Sequence, residues 1–265
     1  MLEGRSLEGS DSTIVGTNRY DEIASSAITI VTAGIPRKPG MSRLDLLQQN
    51  ARIITSVIQG VVQNAPDTII LMVSNPVDVM TYLAYKRSGF EPHRVVGQAG
   101  VLDSSRFRGF IATELGISTE DVQAMVLGGH GDSMVPLPRY ASVSGIPLRE
   151  LLPPSTIERC VERTRKAGGE IISLMKTSSA YYSPASAIVQ MTEAILKDKK
   201  RIVPASAYLT GEYGLQDIYV GVPVVLGARG VEKIIELNLD DVELQALTRS
   251  AAIYRTAINK LGLMN

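Results

Sequence analysis

The chain has 265 residues, 45% hydrophobic and 20% charged, and its 27 basic and 27 acidic side chains cancel. That length suits one large domain or two ordinary ones, and the charge balance excludes long-range attraction to nucleic acid. No apolar run reaches the roughly 18 residues of a membrane span, and Met1–Arg5 lacks a signal-peptide profile.

The elements are legible in chain order. Thr13-Ile14-Val15 reads as a brief strand. Ala27–Thr32 (AITIVT) reads as a buried strand ending in Ala33-Gly34. Asp45–Val62 has helical apolar spacing, with Leu46, Ile53, Ile54, Val57 and Ile58 on one face. Thr68–Val73 (TIILMV) is a second apolar strand, closed by Ser74-Asn75-Pro76. Val77–Arg87 is helical, and Arg94–Gly97 begins another strand. Strands that are apolar on both faces and alternate with helices imply a parallel sheet covered on both sides.

The second half has a different rhythm. Leu102–Leu115 reads as a helix and Val122–Leu127 as a strand running into Gly128-Gly129-His130-Gly131-Asp132. Two helices follow, at about Ser155–Thr177 and Ala185–Leu196. Arg201–Leu209, Ile218–Leu226 and Val231–Leu237 read as antiparallel strands, the first two joined by a turn at Gly211–Gly214. Asp240–Leu261 is an amphipathic helix with Val242, Leu247, Ala251, Tyr254, Ile258 and Leu261 near one face. The reading is an α/β domain over residues 1–99, then an α+β domain over 100–265. The single cysteine, Cys160, falls in a helical apolar pattern and reads as a packed thiol, which fits a reducing cytoplasm. No metal-site spacing is present.

Three clusters carry candidate chemistry. The chain has two histidines. His93 reads as a surface or capping residue, and His130 lies between glycines at a strand end. Asp103 and Arg106, at i and i+3, share one helix face. They are either a local ion pair or a division of labour. In the second case the carboxylate holds an imidazole in one tautomer and the guanidinium offers a fork to a substrate carboxylate. Ala33–Arg43 is a loop with three cations, Arg37, Lys38 and Arg43, at a strand's carboxyl end. There ligands bind in open α/β sheets, and the loop is either solvated or a lid. Asn75 ends the next strand at the same edge.

These stretches resemble the lactate/malate dehydrogenase family, in particular its lactate dehydrogenase-like malate dehydrogenases. The likeness rests on TAGIPRKPGMSR (Thr32–Arg43), VSNPVDVMTY (Val73–Tyr82), VVGQAGVLDSSRFR (Val95–Arg108), VLGGHGDSMVPL (Val126–Leu137), ERTRKAGGEII (Glu162–Ile172) and TSSAYYSPA (Thr177–Ala185). The resemblance implies that His130 accepts the alcohol proton with Asp103 as its carboxylate partner. It implies that Arg106 binds the carboxylate beside the reacting carbon and that Arg43 polarises the carbonyl. It further implies that Arg37 meets the second carboxylate of a four-carbon dicarboxylate, and that Asn75 bonds the substrate and seats the nicotinamide. By the same resemblance, Gly34, Asn50, Val73 and Ser74 are expected to contact the dinucleotide. The implied cofactor is NAD, the implied substrate pair malate and oxaloacetate, and the implied assembly a homodimer or homotetramer.

A Rossmann-type half should open with a strand, a G-x-G-x-x-G turn and a helix, and no G-x-G-x-x-G occurs. By comparison with the family, roughly 40 to 45 residues of an opening βαβ unit are absent. The expectation is a Rossmann-type parallel sheet truncated at its N-terminus, followed by an α+β substrate domain. Met1 is then an internal methionine or the chain is shortened. Two alternatives stand beside the malate reading: a dehydrogenase for another 2-hydroxy acid such as lactate, and a non-catalytic fragment that keeps the substrate pocket and subunit contacts.

Overall fold

A computed structural model describes residues 9, 11–35, 42–176 and 178–264. Its main sheet starts with three parallel strands, β1 (Ile28–Val31), β2 (Ile69–Met72) and β3 (Val95–Gly97). Ile70 of β2 lies between Thr29 of β1 and Val95 of β3, and all four β2 residues are buried. Helix α1 (Arg43–Asn64) joins β1 to β2, and α2 (Val77–Ser88) joins β2 to β3.

α1 starts where its sequence directs. The Ser42 hydroxyl accepts from Asp45 N at 3.1 Å and Ser42 N donates to the Asp45 carboxylate at 3.0 Å, a reciprocal cap. Its buried stripe is Leu47, Ala51, Ile54, Ile58 and Val61. The expected stripe is thus turned by about one position, because Leu47 rather than Leu46 faces the sheet. α2 is buried from Val77 to Ala84, and its one acidic residue, Asp78, is fully buried with it.

Helix α3 (Gly100–Leu115) leads into short strands β4 (Val122–Gln123), β5 (Val126–Leu127), β6 (Val135–Pro136), β7 (Ser142–Val143) and β8 (Ile146–Pro147). The single strand expected over Val122–Leu127 is in fact two. β4 pairs with β7 and β5 with β6, so the chain bends between them to serve two small sheets. Helix α4 (Leu148–Leu151) precedes the long helices α5 (Pro154–Met175) and α6 (Tyr182–Leu196). Strands β9 (Arg201–Thr210), β10 (Gln216–Gly227) and β11 (Gly230–Ile234) form an antiparallel meander, and α7 (Asp241–Lys260) follows. In α7 the buried face is Leu247, Ser250, Ala251, Tyr254 and Ile258. Val242, expected on that face, is 72% exposed. Cys160 is buried in α5.

β3 and β9 meet antiparallel at Gly97 and Ser206, so the main sheet runs in the order β1-β2-β3-β9-β10-β11. One apolar core spans both halves of the chain, and a smaller cluster with Phe107, Ile111, Val126 and Val161 lies under α3 and α5.

Thr13–Val15, expected as a strand, is irregular and exposed. It pairs with no described strand, so nothing fixes its backbone in a ladder. Among the described residues no helix is long and apolar enough to cross a membrane, and none form a His, Cys, Asp and Glu cluster that would hold a metal ion.

Candidate active site

β5 delivers the chain into Gly128–Gly131, and every backbone donor of that turn's first half is used. Gly128 N donates to Gly221 O of β10 at 2.8 Å, Gly129 N to the Ser250 hydroxyl at 2.9 Å, and His130 N to the Asp78 carboxylate at 2.9 Å. The ring of Tyr254 lies against Gly129, where an added Cβ would sit 1.8 Å from it. Only glycine allows α7 to approach so closely. The turn is therefore held from β10, α7 and α2 together, which fixes the imidazole's starting point.

The His130 side chain is fixed from a fourth direction. Its Nδ1 is 2.8 Å from one oxygen of Asp103, and Nη1 of Arg106 donates to the other at 3.1 Å. Asp103 is 2% exposed, so this is a buried carboxylate between a guanidinium and an imidazole. Desolvation pulls the imidazole pKa down, but the charge of Asp103 and its hydrogen bond outweigh it, and the net direction is upward from 6.5. His130 Nε2 makes no hydrogen bond to a described residue, while Nδ1 is held. That arrangement suits proton acceptance at Nε2. Arg106 keeps a buried Nε with no partner among the described residues. A buried, unpaired guanidinium donor beside a positioned imidazole is suited to a carboxylate ligand.

Asp78 is a residue that the sequence reading missed. Ser206 donates to its other oxygen at 2.7 Å, so it ties α2, β9 and the His130 turn together. Burial pushes its pKa from 3.8 to about 6, against the lowering effect of the Ser206 and His130 hydrogen bonds. The folded chain therefore binds more protons than the unfolded chain between those values. Asp78's contribution to stability is full below pH 3.8 and falls away as pH rises through about 6. The loss is on the order of 3 kcal/mol by neutral pH, at about 1.4 kcal/mol per tenfold change in proton affinity. Asp78→Asn keeps an acceptor for His130 N and offers an amide N–H to Ser206. Its unfolding free energy relative to wild type should rise by up to about 3 kcal/mol between pH 4 and pH 7.5 in urea titrations. A difference that does not change with pH contradicts this assignment.

The second part of the site lies at the carboxyl ends of β1 and β2. Val73 N donates to Val31 O at 2.9 Å, and the Ser74 hydroxyl donates to Ala33 O at 2.5 Å. Asn75 is exposed, at the entrance to α2 and three residues before Asp78. Gly34 has φ 151°, and an added Cβ would lie 3.2 Å from Asn50 Oδ1. Asn50, expected at the dinucleotide, is buried. Its Oδ1 accepts from Ile35 N at 2.8 Å and its Nδ2 donates to Ile35 O at 3.3 Å. Both ends of its amide hold the chain after β1, and one Nδ2 hydrogen is left over. The Ser74 hydroxyl is likewise occupied. Gly34 and Asn75 are exposed at this edge, and the Asn75 amide suits the amide end of a nicotinamide. Arg37 and the loop 36–41 lie outside the described residues, and of Arg43 only its place at the start of α1 is described.

The family model for the lactate/malate dehydrogenase NAD binding domain matches residues 2–97, and the model for the family's alpha/beta C-terminal domain matches residues 100–262. The chain belongs to the lactate/malate dehydrogenase family. It is an NAD-dependent oxidoreductase of that family. A malate dehydrogenase from Roseiflexus castenholzii is 55% identical over 264 residues, which is 100% of this chain and 85% of the relative. One from Bacillus israeli is 54% identical, covering 98% of this chain and 84% of its own. Among solved structures, the malate dehydrogenase of Salinibacter ruber matches with a TM-score of 0.94 at 50% identity, over 98% of this chain and 83% of that one. A lactate dehydrogenase of Cryptosporidium parvum, complexed with lactic acid and β-nicotinamide adenine dinucleotide, matches at 0.94 with 43% identity, over 100% of this chain and 85% of that one. The family's mixed α/β fold with a parallel sheet is the fold described above.

Proposed function

We propose that the chain catalyses the reversible oxidation of (S)-malate to oxaloacetate, with His130 as the proton acceptor. The observation that carries this reading is the buried His130–Asp103–Arg106 array: one imidazole nitrogen held, the other unpartnered, and a buried guanidinium donor beside it. Arg106 takes the carboxylate next to the carbinol carbon. The hydroxyl then faces His130 Nε2, which removes its proton as the carbonyl forms. Asp103 keeps the proton on Nδ1 and stabilises the imidazolium. Bound NAD accepts the hydride, because no side chain can. Val73, Asn75 and the backbone at Gly34 hold the nicotinamide end, and Asn50 and Ser74 act by fixing those backbones. Arg43 polarises the carbonyl oxygen.

Malate is preferred to lactate on account of Arg37, which would meet the second carboxylate. A substrate lacking that group leaves a desolvated cation unpaired. Arg37→Gln should lower kcat/KM for oxaloacetate relative to pyruvate by roughly 100-fold or more. Unchanged oxaloacetate activity would show that Arg37 does not read the substrate.

Assembly as a homodimer or homotetramer is supported by a run of exposed apolar residues on α5 and α6: Ile172, Leu174, Tyr182 and Val189 are 53 to 80% exposed. A cytoplasmic location is in keeping with a single, buried cysteine, which can form no internal disulfide.

A further inference from the structure

Away from the active site, one open groove gathers exposed cations. α1, α2 and the end of α7 border this groove of about 500 Å³. Arg52 reaches it from the body of α1, Arg87 from the last turn of α2, and Lys260 from the last residue of α7. Among the described residues, no carboxylate side chain lines the groove. None of the three cations makes a hydrogen bond or an ion pair with a described residue. In a chain whose charges cancel overall, three exposed cations around one groove, with no described counter-charge among its lining residues, attract anions.

A structural explanation covers part of this. Cations in the last turn of a helix complement its dipole, which accounts for Arg87 and Lys260. It does not account for Arg52, which lies nine residues into a 22-residue helix. Nor does it account for Thr55, Ser56 and Gln59, polar residues that line the same groove. The combination is a concave space of ligand size with donors on several sides and an apolar wall.

We propose that this groove binds a small polyanion, one that carries two or more phosphate or carboxylate charges. Arg52 and Arg87 supply planar forks and Lys260 a compact charge. The position gives such a ligand leverage. It ties together α1, whose Asn50 holds Ile35, and α7, whose Tyr254 lies against Gly129 beside His130. A bound anion therefore braces the two helices that set the loop and the His130 turn.

Isothermal titration of the full chain with inorganic tripolyphosphate, and separately with citrate, tests this. The expected result is saturable binding of at least one probe, at one site per chain. Affinity should fall at least tenfold in Arg52→Gln/Arg87→Gln and several-fold in Lys260→Gln, and should stay within twofold of wild type in Arg106→Gln. Tighter tripolyphosphate marks a phosphate ligand, and tighter citrate a polycarboxylate. Lys260→Gln sits on a separate helix, so it carries the test if the double variant folds poorly. Absence of saturable binding by both probes overturns the proposal. So does equal affinity in wild type and the variants, or loss of binding in Arg106→Gln alone, which would place the anion in the substrate pocket.

Discussion

His130→Ala is expected to lower kcat for malate oxidation by on the order of 10²- to 10⁴-fold, the usual range for a positioned proton acceptor. KM for malate should change far less. Arg106, which takes the substrate carboxylate in the proposed mechanism, is anchored by Asp103 independently of the imidazole. The main chain of residue 130 keeps its hydrogen bond to Asp78 whatever side chain it carries, so the variant should fold. Steady-state kinetics in both directions, with NADH fluorescence titration as a check on the cofactor site, measures the effect. A kcat within tenfold of wild type would remove His130 from its role.

The second large effect is at Arg106. Arg106→Gln should cost on the order of 10²- to 10³-fold in kcat/KM, with most of the loss in KM. It removes the charge that meets the substrate carboxylate in the proposed mechanism and also unpairs one oxygen of a buried aspartate. Lysine should not restore the activity, because a point charge cannot bond the Asp103 carboxylate and the substrate at once as a planar fork can. Full activity in Arg106→Lys contradicts this geometry.

The two variants probe different halves of one array, and the sequence foretold that array better than its supports. Histidine between glycines, and an aspartate and an arginine one helical turn apart, are local patterns that survive without knowledge of the fold. The supports are long-range. Asp78 sits 52 residues from His130, and Ser250 lies 121 residues from Gly129. The available signal for Asp78 was an acidic residue inside the otherwise apolar VDVMTYLA run of α2, which no solvated helix face explains. For Ser250 and Tyr254 the signal was a serine and a tyrosine on the apolar stripe of α7. Asn50 shows the opposite case. Its place beside the site was legible, but its amide is bound to Ile35, which only the chain path after β1 reveals.

The fold was read well where apolar pattern and length agreed, as in β2, α3 and the β9–β11 meander. It was read badly where pairing decides. Thr13–Val15 has β-branched residues but no described partner strand. Val122–Leu127 is apolar enough for one strand, yet two different partners divide it into β4 and β5. Side-chain propensity cannot specify which ladder a residue joins.

The pH dependence of kcat/KM for malate oxidation tests the central claim most directly, measured on wild type and Asp103→Asn together. Oxidation needs neutral His130, so the wild-type profile should rise with pH through a single midpoint above 6.5. In Asp103→Asn the upward pull of the carboxylate is gone and burial dominates, so the midpoint should fall below 6.5 while the maximal rate drops. A midpoint that stays in place or moves upward in Asp103→Asn, or a flat wild-type profile, would contradict the pairing of His130 with Asp103 as the proton-accepting unit.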